Sequence, residues 1–121
     1  MILSIIKITA ASNNKDDILD ILFFVKGPVE GKHGCLSCGI YQDLQNEHII
    51  FYEELWEGSE NLYSHIRSDL YRNILAVMDM YSEPPEIKFS TVSSVAGMDL
   101  IKEALEYFDT EGNNQRKIGV K

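Results

Sequence analysis

From Ile2 to Thr9 apolar residues fall on both sides of the chain, with Ile2, Ile6 and Ile8 on one and Leu3 and Ile5 on the other, as in a central strand. Residues Ser12 to Asn14 offer a helix cap, and Asp16 and Asp17 suit its positive end. Ile18, Ile21, Leu22 and Val25 form one stripe, which Gly27-Pro28 is expected to stop. A polar, glycine-rich connection over Gly27 to Gly34 leads to a second strand from Cys35 to Leu44, and Asn46 marks a turn. The third strand runs from His48 to Trp56 and should be buried on both sides. It sets Ile49, Phe51, Glu53 and Leu55 against Ile50, Tyr52, Glu54 and Trp56. Gly58 and Ser59 then open a short helix carrying Leu62 and Ile66. Ser68 and Asp69 cap a second piece, with Leu70, Tyr71, Ile74, Leu75, Val77, Met78 and Tyr81 on its apolar face, before Glu83-Pro84-Pro85 ends it. Alternation from Glu86 to Ser94 predicts a last strand.

The order β-α-β-β-α-β, with its second helix split, predicts a ferredoxin-like α+β sandwich over residues 1–97, an antiparallel sheet with its helices on one face. The other face would leave a large apolar surface open, so a homodimer packed sheet to sheet is expected. Leu100, Ile101, Ala104, Leu105 and Phe108 recur at helical spacing, predicting a C-terminal helix over 98–108 that packs on its own subunit or on the partner. Residues 109–121 turn polar and read as a mobile tail.

Composition narrows the classes. The 121 residues carry a net charge of -8, with no basic cluster along the folded part, which argues against nucleic acid as a partner. The apolar start lacks a basic leader and a cleavage site, and no run is long enough to span a bilayer, so no membrane is implied and a cytoplasmic location is expected.

Candidate chemistry is sparse. Cys35 and Cys38 form a lone C-x-x-C; three apart on a strand they point to opposite faces, so without a bulge they can neither close a disulfide nor share a metal. Buried structural thiols are the plainer reading, and His33 and His48 do not complete a convincing zinc set. His65, on the helix that follows Trp56, can move protons near neutral pH; its plain reading is a solvent-edge histidine. Trp56, Tyr52, Tyr63, Tyr71 and Tyr81 could line an aromatic pocket or simply fill the core. Glu53 and Glu54 point to opposite faces and are no obvious dyad, though one could pair with Arg67 or Arg72. Dinucleotide, phosphate-loop and serine-hydrolase signatures are absent.

The run from Gly34-Cys35-Leu36 through Tyr52-Glu53-Glu54-Leu55-Trp56-Glu57, then Leu62, His65-Ile66 and Ser68, and on to Pro85-Glu86-Ile87, resembles the antibiotic biosynthesis monooxygenase superfamily, including proposed quinol monooxygenases. Its most specific part is the acidic-x-Trp-Glu end of the third strand, with a histidine nine residues after the tryptophan. The resemblance implies a dimeric α/β barrel. It also implies oxygenation of a quinol-like or phenolic small molecule with no cofactor and no metal, Trp56 shaping the pocket and His65 acting as base, with Tyr52 and Tyr63 as hydrogen-bond partners. Haem-degrading relatives of the same fold are disfavoured, because Leu75 stands where an axial histidine would be needed. The alternative to an enzyme is a non-catalytic dimer of this fold that binds a small aromatic ligand or supports an assembly. An enclosed cavity reached by His65 and Trp56 would favour catalysis, and one filled by Tyr63, Tyr71 and Met78 a structural role.

Overall fold

A computed structural model of the chain describes residues 1–111, with side chains through Tyr107. Strand β1 (Ile2–Thr9) leads to helix α1 (Lys15–Glu30), then β2 (Cys35–Gln42) and β3 (Ile49–Trp56). Helices α2 (Ser59–Ile66) and α3 (Tyr71–Met78), edge strand β4 (Glu83–Thr91) and helix α4 (Met98–Glu111) complete the order. The four strands form one antiparallel sheet in the order β2-β3-β1-β4, the ferredoxin-like arrangement expected from the β-α-β-β-α-β order.

The register aligns Ile6 with Tyr52 and Ile8 with Ile50, so the fully buried residues of β1 and β3 lie side by side under the helices. Ile18, Leu22, Val25 and Val29 of α1, Leu62 of α2, and Tyr71, Ile74 and Val77 of α3 close over them. Each such aliphatic side chain contributes roughly 1.5–3 kcal/mol through its removal from water. The third strand is not buried on both sides as expected. Ile50, Tyr52, Glu54 and Trp56 are buried, whereas Ile49, Phe51, Glu53 and Leu55 are only half-buried, because among the described residues no element packs over that face.

Several boundaries differ from those the sequence predicts. Helix α1 runs through Gly27-Pro28 to Glu30. A residue before proline is pushed out of the helical region partly through its Cβ, which Gly27 lacks, and Val29, fully buried, anchors the extra turn. Strand β4 starts and ends three residues earlier than expected, taking in Pro84 and Pro85, which an edge position tolerates. In β2 a bulge between Cys35 and Ser37 sets Cys35 opposite Trp56 and Cys38 opposite Glu54, so the two cysteines share the helix-facing side after all. Both thiols are free.

Helix α4 continues to Glu111 instead of ending at Phe108, and Met98, Leu100, Ile101 and Leu105 stand exposed. The rest of the polar tail lies outside the described residues. Among those described, no helix is long and apolar enough to cross a membrane.

Candidate active site

Strand alternation delivers Tyr52, Glu54 and Trp56 to the helix-covered side of β3, and α2 lays His65 over them. Glu54 is 1% exposed. A carboxylate so deep in the core must be hydrogen-bonded, and three donors surround it. Its Oε2 accepts the Tyr52 hydroxyl at 2.5 Å and lies 2.9 Å from His65 Nε2, while Oε1 accepts the Trp56 indole N–H at 2.9 Å. The pairing with Arg67 or Arg72 considered for the acidic pair is therefore not made by Glu54; Arg72 reaches Asp69 instead.

Aromatic rings fix the imidazole. The Trp56 ring lies 4.7 Å from that of His65, tilted by 31°, and Tyr71 meets it edge-on at 5.1 Å. The other imidazole nitrogen, Nδ1, is 3.0 Å from Lys32 Nζ. Lys32 also donates to Ser68 Oγ at 2.7 Å, and Ser68 Oγ donates to the backbone carbonyl of His65 at 2.6 Å. An ammonium can only donate, so with Lys32 charged Nδ1 accepts, Nε2–H donates to Glu54, and cation, neutral ring and carboxylate form a balanced line.

Burial perturbs the groups along this line. Desolvation lowers the Lys32 pKa, against the opposing pull of the Glu54 charge. Tyr52 is raised far above an ordinary phenol, first by burial and then by the neighbouring carboxylate. Burial also raises Tyr71 to about 12 and Cys38 to about 11; the Cys38 thiol donates to Tyr52 Oη at 3.4 Å.

Two clefts flank α2. A polar one of about 310 Å³ is lined by Lys32, His33, Trp56, Glu60, Asn61, Ser64, His65 and Ser68. An apolar groove of about 300 Å³ is lined by Ile2, Leu62, Tyr63, Ile66, Phe89 and Thr91. Of the residues singled out from sequence, His65, Trp56, Tyr52 and Tyr71 come together. Tyr63 lies apart in the apolar groove, 54% exposed, and Tyr81 is exposed beyond α3 and lines neither cleft. His65 is a buried residue and not a solvent-edge one.

Glu54, Lys32 and Ser68 went unassigned. Glu54 had a readable signal, a charge between Tyr52 and Trp56 on a buried stripe. Lys32 had none, since its place depends on the extra turn of α1 and on Gly34. Gly34 has φ +85, and a Cβ there would collide with Asn61 at 2.2 Å, so only glycine brings the start of β2 this close to α2. Among the described residues no group of three or more His, Cys, Asp or Glu could hold a metal ion.

The family profile described as antibiotic biosynthesis monooxygenase matches residues 1–77. Among solved structures, a proposed antibiotic biosynthesis monooxygenase from Deinococcus radiodurans superposes with a TM-score of 0.73 at 15% identity, over 80% of this chain and 97% of that one. A Mycobacterium tuberculosis protein gives 0.72 at 18% identity, covering 79% and 98%. A conserved protein from Methanosarcina mazei gives 0.69 at 23% identity, covering 74% and 89%. At these identities the likeness carries the fold. No curated protein matches the chain.

Proposed function

Since the chain belongs to the antibiotic biosynthesis monooxygenase family, we propose that it oxygenates a quinol-like or phenolic small molecule with dioxygen, without a resident metal or organic cofactor. The observation that carries this reading is the line from Glu54 through His65 to Lys32, which opens at the polar cleft beside Trp56. A buried carboxylate behind an imidazole is suited to stabilising a proton drawn from a bound hydroxyl. A deprotonated quinol is electron-rich enough to pass an electron to dioxygen. Recombination then gives a hydroperoxide, and its loss of water leaves a hydroxyquinone, so that quinol and dioxygen balance hydroxyquinone and water. The open sheet face, with Leu3, Ile5, Phe51 and Leu55 half-buried, is suited to a second copy of the chain and supports the homodimer.

The test is oxygen uptake with a panel of reduced quinols and polyphenols, comparing the wild type with His65→Ala after checking that both fold alike. Uptake above the spontaneous rate, kept after metal chelation and reduced by 100-fold or more in the variant, is the expected result. Unchanged uptake in the variant removes His65 from the chemistry, and no uptake across the panel overturns the oxygenase reading.

One observation favours the non-catalytic alternative. Both ring nitrogens of His65 are engaged and its side chain is fully buried, so the imidazole does not itself face the cleft as a free base. That alternative predicts saturable binding of an aromatic ligand with no oxygen consumed.

A further inference from the structure

The sealed imidazole poses the question of which atom meets the substrate. We propose that Lys32, rather than His65, takes the proton from the substrate hydroxyl in the polar cleft, with His65 and Glu54 holding the lysine in place behind it. This rests on the oxygenase reading above.

Lys32 Nζ is half-buried at the cleft wall, between His65 Nδ1 at 3.0 Å and Ser68 Oγ at 2.7 Å. Nδ1 of His65 is already engaged by this amine, so at the cleft wall the amine rather than the ring nitrogen is placed to meet a substrate hydroxyl. Glu54 holds Nε2 and so leaves Nδ1 turned toward Lys32, while Ser68, bonded to the His65 carbonyl, fixes the amine from the other side. The titratable groups around the amine are His65 from α2 with Glu54 of β3 behind it, and His33 and Glu60 on the cleft walls. Desolvation lets Lys32 shed its proton more readily than a surface lysine does.

The step balances with dioxygen as the only co-reactant. Neutral Lys32 takes the phenolic proton, giving ammonium and phenolate. The phenolate adds dioxygen through one-electron transfer and recombination. The ammonium returns its proton to the peroxide oxygen, restoring the amine, and water is lost from the hydroperoxide. Lysine is therefore regenerated in every turnover.

Two measurements on the full chain separate this inference from the reading it rests on. The first is the pH dependence of oxygen uptake for the wild type, Lys32→Met and Lys32→Arg. The wild-type rate should climb as Lys32 deprotonates, below the pH at which an ordinary lysine would. Both variants should lose about 100-fold or more in kcat, as expected for removal of a general base, with little change in KM. Lys32→Arg keeps the cation but cannot act as a base, so a variant retaining more than a tenth of wild-type kcat overturns the proposal. The second is an NMR titration of the Lys32 side chain, read without turnover. A midpoint below 10.5 that moves in His65→Ala is expected, and a Lys32 that titrates like a surface lysine overturns the inference by itself. Failure of the wild type to consume oxygen overturns instead the oxygenase reading.

Discussion

Glu53 and Glu54 are neighbours on one strand and have opposite fates. Glu54 lies under the helices, where Tyr52, Trp56 and His65 all point hydrogen-bond donors at it. Glu53 lies half-buried on the open side, opposite Ile5 of β1 and Gly39 of β2. The same residue type thus becomes the centre of a sealed polar cluster on one face and an element of an uncovered surface on the other. What separates them is the helix layer, which excludes water and makes every polar partner matter.

The largest expected effect breaks this contrast directly. Glu54→Ala leaves three buried donors without their acceptor and should cost about 3–5 kcal/mol in a urea or guanidinium unfolding curve. Glu53→Ala should stay within about 0.5 kcal/mol, as surface substitutions usually do. Equal losses would mean that the two carboxylates are not distinguished by burial.

A second, smaller effect concerns pH. The Cys38 thiol is raised from 9.0 to about 11, first by burial. The folded state therefore holds this proton more tightly than the unfolded one, and its contribution is fully present below pH 9. It is lost as pH rises from 9 toward 11, on the order of 2 kcal/mol in total once partial solvent access is allowed for. Stability measured across that window should fall more steeply for the wild type than for Cys38→Ala. Parallel curves would show that the thiol is not sealed.

The smallest effect sharpens the other side of the contrast. If the open face seats a second copy, Leu55→Glu should weaken self-association at least tenfold, about 1.4 kcal/mol, seen by sedimentation as a shift from dimer to monomer. A wild type already monomeric at micromolar concentration would remove the dimer reading.

Much of the fold was legible because alternation is a local signal. Ile6, Ile8, Ile50 and Tyr52 announce two strands that share a covered face, and the α1 stripe of Ile18, Leu22 and Val25 is as plain. Breakers misled where context compensated. Gly27 lets Pro28 sit inside a helix, and an edge position lets Pro84 and Pro85 sit inside a strand. The site was half legible. Trp56 and His65 stood out by residue type, but the meeting of Lys32 with His65 spans 33 residues and depends on a helix end and a glycine turn that no periodicity marks. The bulge beside Cys35, which reverses the facing of the cysteine pair, is likewise a property of the strand pairing and not of the spacing.

The added turn of α1 also acts as a phase setting. Lys32 follows directly on that turn, its amide bonded to the carbonyl of Val29. A helix advances by about 100° per residue. Deleting one residue between Gly27 and Glu30 would swing the amine roughly a quarter of the way around the helix axis, away from the imidazole, and would pull on the start of β2, whose Cys35 amide is bonded to the Lys32 carbonyl. The segment that reads as a mere connector is thus not free to vary in length, and homologues that use this lysine should keep the count from Val25 to Lys32 constant.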